Sequence, residues 1–418
     1  MNALSGIRVL DFGWALAVPF AALQLSLAGA EVIKVETRKR LDIMRRTAMG
    51  MQKATGKYIY RSFLPGELPP EDMETDSPAS NNASFNKLSI TLDWQTPEGI
   101  DLIKRLVKVS DVVAENFRAG VMDKHGLGCP VLSAIKPDLI MLSSSNAGST
   151  GPESDSLGYA SLFSALGGVG HLTGYPDGPA TEVRMPTDMV SAVTAAFAIV
   201  AALIHRQRTG EGQFIDFASR ESASCIVGDS LLDYSMNHRS PYRRGNMDDA
   251  MAPNNCYRCL GVDKWVSIAV ATDDEWGALC NAIGNPAWTG EERFSDGVER
   301  WKNQEELDKL LESWTIERTQ YEVMDTLQKG GVAAVPSFSA EEIWSDTHLD
   351  ARGNFEVVTH PTLGAQPVLT PPCKLSVTPS RITRYGPMLG EDNEYIFGEL
   401  LGLSSKEIAQ LKEKLVIC

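Results

Sequence analysis

The chain has 418 residues, of which 43% are hydrophobic, and a formal net charge of −15 at pH 7. This length allows two domains that each bury a core. The acidic balance argues against nucleic acid or an anionic membrane as a partner, because both require a basic surface. The longest largely apolar run, residues 192–204, is shorter than the roughly 20 residues that a membrane span needs.

The N-terminus and the cysteines indicate a cytoplasmic protein. Residues 1–8 lack the basic and then apolar pattern of a signal peptide. The seven cysteines are scattered, and only Cys256 and Cys259 have the spacing of metal ligands. No second CxxC or His pair accompanies them, so we expect structural thiols in a reducing compartment and no metal.

Strands and helices are predicted to alternate over the first third of the chain, which indicates parallel strands and a doubly wound α/β domain. The predicted elements are a strand at 7–12, a helix at 15–28, a strand at 31–36, a helix from Thr96 to Val107, a strand at 111–115, a short helix at 131–135 and a strand at 139–143. The turn after the first strand has one glycine and no GxGxxG, which argues against a dinucleotide cofactor.

The sequence between the second strand and Asn86 is irregular. Residues 64–84 are rich in Pro, acidic residues and Asn, which is typical of a solvated surface loop. The aromatic residues Tyr58, Tyr60 and Phe63 precede this loop and could close over a substrate.

A long apolar helix is predicted after Asp188, and a second, smaller α/β domain beyond residue 220. The smaller domain is indicated by a strand at 265–270 and helices at 276–283 and 304–314. Ser404 and Glu407 form a capping box that predicts a final helix at 407–415.

Several segments, taken together and in this order, resemble the class III CoA-transferases, the CaiB/BaiF-type family that includes formyl-CoA transferase. They are Leu4–Phe12, Gly29–Glu36, Asn86–Lys87, Glu115–Gly120, His205–Gln213, Tyr257–Cys259 and Leu389–Asn393. The resemblance implies a CoA-transferase that uses a coenzyme A thioester as substrate and holds no permanent cofactor.

The resemblance also implies an architecture. A Rossmann-like large domain with a parallel sheet would comprise 1–215 and 340–418, and a small α/β domain 225–330 would be inserted through linkers at 216–224 and 331–339. Two chains would interlock, either as a homodimer or as a heteromer with a related chain.

Asp188 occupies the place of the family's catalytic aspartate, seventeen positions before His205. Read without the resemblance, Thr187 is a plausible N-cap that places Asp188 in the first helical turn, where an acid commonly complements the helix dipole. With the resemblance, Asp188 is expected to attack the acyl-CoA and form a mixed anhydride and then an aspartyl-CoA thioester. Helix NH groups would keep the carboxylate ionised, and Gly148 or the glycines at 167–170 could form an oxyanion hole.

An acidic protein must gather cations to bind the phosphates of CoA. The resemblance assigns Lys87, Asn116, Phe117 and Lys124 to CoA contacts, although the family often has Arg where Lys124 stands. Arg38 and Arg45 lie in the segment that normally reaches the adenosine and its phosphates.

The acyl pocket departs from the family pattern. Leu16 stands where some members have glutamine, and Val18 replaces a small residue, so a bulkier acyl group is expected. Arg184 could bind a second substrate carboxylate. Together they favour an aryl-substituted dicarboxylate such as benzylsuccinate as acceptor, with succinyl-CoA as donor.

Two alternatives remain open from the sequence. An α-methylacyl-CoA racemase would need a Gly-His-Asp segment, but Tyr159, expected at the substrate site, stands where the histidine would be. The chain could also be one subunit of a heteromeric CoA-transferase.

Overall fold

The computed structural model describes residues 2–52, 57–62, 82–183 and 185–417. The predicted surface loop up to residue 81, Phe63 and Arg184 lie outside the described residues, as do the side chains of Tyr58 and Tyr60.

The strands alternate with helices along the chain. The strands are β1 (Arg8–Asp11), β2 (Glu31–Glu36), β3 (Thr47–Gln52), β4 (Lys57–Ser62), β5 (Leu88–Thr91), β6 (Val112–Glu115), β7 (Ile140–Ser145), β8 (Gln213–Ala218), β9 (Asn254–Arg258), β10 (Trp265–Ala269), β11 (Ala333–Pro336), β12 (Phe355–His360) and β13 (Gly364–Leu369). The α-helices are α1 (Ala17–Leu27), α2 (Ile43–Arg46), α3 (Pro97–Lys108), α4 (Val121–Lys124), α5 (Cys129–Ile135), α6 (Ala160–Leu166), α7 (Val169–Leu172), α8 (Met185–Thr209), α9 (Ser219–Ile226), α10 (Gly228–Asn237), α11 (Asp273–Ala282), α12 (Gly297–Lys302), α13 (Gln304–Thr315), α14 (Gln320–Lys329), α15 (Ala340–Trp344), α16 (Thr347–Ala351) and α17 (Ser405–Glu413). A π-helical turn covers Glu394–Leu400.

Six parallel strands form the main sheet in the order β5-β2-β1-β6-β7-β8. The order runs outward in one direction from β1 and in the other from β6, which is the doubly wound arrangement. The predicted mixed α/β class with a parallel sheet is therefore confirmed. The position where the strand order changes direction, called the reversal point below, lies between β1 and β6.

Each face of the sheet is covered by helices. On one face, α1 and α8 pack against the strands through Val18, Ala195 and Ile199, all buried. On the other face, α3 and the C-terminal segment bury Ile103 and Phe397. Both faces of a parallel sheet are usually covered, because the helices that connect its strands lie on them.

Helix α8 is long and apolar enough to cross a membrane by length and composition alone, and no other such helix occurs among the described residues. This is weak evidence, because the buried face of α8 packs in the core beside α1, and core helices of soluble proteins pass the same test.

The chain divides into two compact units. The first comprises 1–170, 182–236 and 350–418, and the second 171–181 and 237–349. The second unit has an antiparallel sheet in the order β11-β10-β9. Helices α11, α13 and α14 bury Leu279, Leu311 and Leu327 against it. The first unit therefore contains both ends of the described chain, and most of the second unit is the single segment 237–349.

Six charged side chains are buried around the carboxyl ends of β1 and β2. The Lys87 ammonium lies 2.8 Å from Asp11, the Arg45 guanidinium 2.6 Å from Glu36, and the Lys34 ammonium 3.4 Å from Asp42. Burial alone would raise the pKa of Asp11, but the Lys87 and Lys34 charges lower it. Removing one member of such a buried pair typically costs about 3–5 kcal/mol, because the other charge stays buried without its partner.

Glu115 is a further buried acid, at the end of β6. One of its oxygens accepts a hydrogen bond from the Phe117 amide at 2.6 Å, and Ser143 on β7 is a second partner. Burial nevertheless raises the pKa of Glu115 to about 7. The folded protein therefore binds this proton more tightly than the unfolded chain does.

This shift predicts a loss of stability with rising pH. The contribution of Glu115 is fully present below the ordinary pKa of 4.5 and is lost as pH rises through about 7. Glu115→Gln has no such proton. We expect its unfolding free energy, minus that of the unmodified protein, to increase by about 2–3 kcal/mol from pH 5 to pH 8. Urea unfolding at pH 5 and at pH 8 measures this difference, and Asn281→Ala, a change at an exposed residue, is the control. An unchanged difference between Glu115→Gln and the unmodified protein would contradict it.

Candidate active site

The reversal point of the sheet brings two loops together. The loop at 12–16 follows β1, and the loop that begins at Asn116 follows β6. In open α/β sheets, ligands bind in the crevice outside the carboxyl ends of the strands at this point. The two loops are joined directly, because the Trp14 amide donates to Asn116 Oδ1 at 2.6 Å.

Asp188 lies at the same edge of the sheet. Helix α8 connects β7 to the parallel β8, so it runs back across the sheet and begins at the carboxyl edge. Asp188 is in its first turn, as expected. The expected N-cap is wrong: the helix begins at Met185, and the Thr187 hydroxyl donates to the carbonyl of Val183.

Helix NH groups are expected to stabilise the ionised form of Asp188 and so to lower its pKa. Instead, burial raises the pKa of Asp188 to about 6. Among the described residues, no hydrogen bond or ion pair to its carboxylate compensates for this burial. The carboxylate is therefore ionised at neutral pH but poorly solvated, which favours nucleophilic attack.

The predicted substrate residues differ in how far their side chains are exposed. Leu16 precedes α1 and is 9% exposed, and Val18 is fully buried. Tyr159 precedes α6 and is 74% exposed. Arg184 lies outside the described residues. Their contacts with substrate stay predictions.

The predicted CoA residues fall into two groups. Arg38 and Lys124 are exposed, and Phe117 packs on Trp94 with ring centroids 5.4 Å apart. Lys87 and Arg45 are 0% and 1% exposed and are held in the buried ion pairs described above. Their geometry gives these two a structural role, and their contact with CoA stays a prediction.

Sequence reasoning missed three features of this edge. Arg40 stacks over the Trp14 ring at 4.5 Å, and Asp42 accepts a hydrogen bond from the Ala15 amide at 3.2 Å. Glu115 holds the loop after β6 through the Phe117 amide. The basic run that begins at Arg38 was a signal for Arg40, whereas nothing in the local sequence indicated that Asp42 would turn inward.

The glycines considered for an oxyanion hole have local reasons for being glycine. Gly148 and Gly168 have φ values of +83° and +90°, which favour glycine. At Gly167 a Cβ would lie 2.6 Å from the Ala223 methyl group. Their role toward an oxyanion stays a prediction.

The residues that the structure describes contain no group of three or more His, Cys, Asp or Glu side chains that could hold a metal ion. Cys256 lies 3.8 Å from the Ser337 hydroxyl, whereas Cys259 is buried in the core of the second unit, and both are free thiols.

Comparison with known proteins identifies relatives along the whole chain. The model of CoA-transferase family III matches residues 4–393. A succinyl-CoA–D-citramalate CoA-transferase of Chloroflexus aurantiacus is 35% identical, over 99% of this chain and 98% of that protein. The beta subunit of a succinyl-CoA–L-malate CoA-transferase of the same organism is 33% identical, with the same coverage of 99% and 98%.

A solved structure is similar as well. The crystal structure of a CaiB/BaiF family protein from Brucella suis superposes with a TM-score of 0.83 at 30% identity, over 96% of this chain and 100% of that chain. The full-length sequence matches and the structural superposition agree with one another. The chain belongs to CoA-transferase family III and is a CoA-transferase.

Proposed function

We propose that Asp188 is the nucleophile of the transfer. Its carboxylate attacks the thioester carbonyl of the donor, the C–S bond breaks, and CoA leaves as a thiolate, so that a mixed anhydride of the donor acid and Asp188 forms. The thiolate attacks the aspartyl carbonyl, which releases the donor acid and leaves an aspartyl-CoA thioester. The acceptor carboxylate then repeats the two steps in reverse and restores Asp188.

The observation that supports this proposal is the setting of Asp188. It lies in the first turn of α8 at the carboxyl edge, and burial raises its pKa to about 6. Attack needs an anion with little hydration, and an acid with this pKa is mostly ionised at pH 7. Water must be excluded from the site, because each intermediate is an activated acyl group that would hydrolyse.

We propose succinyl-CoA as the donor and a dicarboxylic acid as the acceptor. Two relatives are named for transfer between succinyl-CoA and the dicarboxylates citramalate and malate. The apolar Leu16, where some members of the family have glutamine, favours an acceptor with a larger apolar substituent, such as benzylsuccinate. Arg184 is the expected partner of the second carboxylate.

We further propose that two copies of the chain interlock in the cytoplasm. Helix α8 exposes a stripe of apolar residues at helical spacing: Val190, Val193, Phe197 and Ile204, which are 38%, 54%, 72% and 45% exposed. Contiguous exposed apolar surface is typical of an interface. Because a relative is named as one subunit of an enzyme, a related chain is the alternative occupant.

The nucleophile can be tested by substitution. We expect Asp188→Ala to lower kcat by about 10³-fold or more while leaving the fold unchanged, because the acyl intermediates would form on this carboxylate. For the unmodified enzyme, kcat/KM should fall below an apparent pKa near 6, since the protonated acid cannot attack.

The matched control for Asp188→Ala is Glu211→Gln, an exposed acid just beyond the other end of α8. Hydroxylamine trapping during turnover, followed by peptide mass spectrometry, should modify Asp188. An active enzyme with unmodified Asp188 would refute the covalent mechanism, and release of the substrate α-proton into deuterated water without transfer would favour a racemase.

The acceptor can be tested with a panel of acids and succinyl-CoA as donor. We expect kcat/KM for dicarboxylates to exceed that for short aliphatic monocarboxylates at least ten-fold, with benzylsuccinate above malate. Leu16→Gln should reverse the order of the last two, because a polar side chain would replace an apolar wall. A preference for acetate or propionate would contradict the proposal.

The assembly can be tested by light scattering after size-exclusion chromatography. We expect a homodimer from the chain expressed alone, and loss of the dimer on Phe197→Asp, which places a charge in the apolar stripe. Phe214→Asp, an exposed phenylalanine on β8, is the matched control. An active monomer would overturn this part of the proposal.

A further inference from the structure

Side chains hold five polar backbone atoms of the loop between β1 and α1, namely the amide and carbonyl of Gly13, those of Trp14, and the amide of Ala15. Gly13 donates its amide to Asp11 Oδ1 at 2.8 Å, and its carbonyl accepts from the Lys34 ammonium at 2.8 Å. The Ala15 amide donates to Asp42 Oδ1 at 3.2 Å. These three side chains all belong to the buried charge network on the β1–β2 side of the reversal point.

Asn116 supplies the remaining bonds from the opposite side. Its Oδ1 accepts from the Trp14 amide at 2.6 Å, and its Nδ2 donates to the Trp14 carbonyl at 2.8 Å. Both ends of the side-chain amide are therefore engaged with one residue of a loop 102 positions away. The backbone next to Asn116 is also held, because the Phe117 amide donates to the Glu115 carboxylate at 2.6 Å.

The loop needs this restraint, because its backbone is strained. Ala15 has a φ of +56°, in the left-handed region that non-glycine residues rarely adopt. Such a conformation persists only where the surrounding structure imposes it. The next residue is Leu16, which forms the predicted acyl wall directly before α1.

We infer that Asn116 is a positioning residue, which joins the two halves of the sheet at their reversal point and fixes the Trp14–Leu16 wall of the acyl site. This role differs from the CoA contact that the sequence predicts, because hydrogen bonds to Trp14 engage both the oxygen and the nitrogen of the amide. Asn116 acts through Leu16 on the choice of acyl group and on the exclusion of water. The inference rests on the proposed placement of the acyl group beside Leu16.

The kinetics of Asn116→Ala distinguish the positioning role from a contact with CoA. If the residue positions the loop, kcat for transfer falls at least ten-fold, hydrolysis of succinyl-CoA rises relative to transfer, and KM for succinyl-CoA changes less than about three-fold. If the residue binds CoA, KM for succinyl-CoA rises and kcat is retained, which would overturn the inference. Asn116→Asp keeps the acceptor for the Trp14 amide but loses the donor to its carbonyl, so it should show an intermediate loss.

A second measurement needs no substrate. Hydrogen exchange at the Trp14 and Ala15 amides should become at least ten-fold faster in Asn116→Ala, whereas exchange in α1 beyond Phe20 should not change. Asn281→Ala, an exposed asparagine on α11, is the matched control. Unchanged exchange at Trp14 would overturn the inference even in an active enzyme. Because exchange reports on the loop alone, it stays decisive if Asp188 or the dicarboxylate acceptor proves wrong.

Discussion

The carboxyl edge of the sheet depends on charges that are buried and balanced. Three cations and three anions, among them Asp11, Lys34 and Lys87, neutralise one another where β1 and β2 end. A buried charge is tolerated only with a partner, so each pair fixes the position of two segments. The network therefore fixes the path of the backbone after β1, independently of a bound substrate.

Two carboxylates at this edge, those of Asp11 and Asp188, have opposite electrostatic environments. Asp11 is compensated by two ammonium groups, and its pKa is lowered despite complete burial. Asp188 is only partly buried, receives no such compensation from the described residues, and its pKa is raised to about 6. One acid is held as part of the framework, whereas the other is the nucleophile that we propose. Burial alone does not distinguish these roles; the partners do.

The regular elements were predictable where periodicity and burial agree. The βαβ unit from β1 to β2 and the capped helix α17 were found within a few residues of their observed limits. Strand β8 was missed because it lies at the edge of the sheet, where most of its side chains are at least partly exposed and the apolar pattern is weak. Hydrophobic periodicity cannot report a strand most of whose side chains are at least partly exposed.

The candidate site was predictable only in part, for a different reason. The position of Asp188 in a first helical turn follows from local sequence, but its cap does not, because the Thr187 hydroxyl bonds backward to Val183. Lysines and arginines are ambiguous in a sequence: Lys87 is paired with Asp11, which lies 76 positions earlier. Whether a cation meets a ligand or an internal acid depends on contacts that no local pattern contains.

The route of the chain through the two units has a consequence for synthesis on the ribosome. The six strands of the main sheet have all been made by residue 218, yet one of its faces is covered by Ile396, Phe397, Ile408 and Ile417. The Ser89 and Thr91 amides of β5 likewise donate to Asp392 and Asn393. The nascent first unit must therefore hold an uncovered apolar sheet face while residues 237–349 emerge, a period in which chaperones have a defined surface to bind.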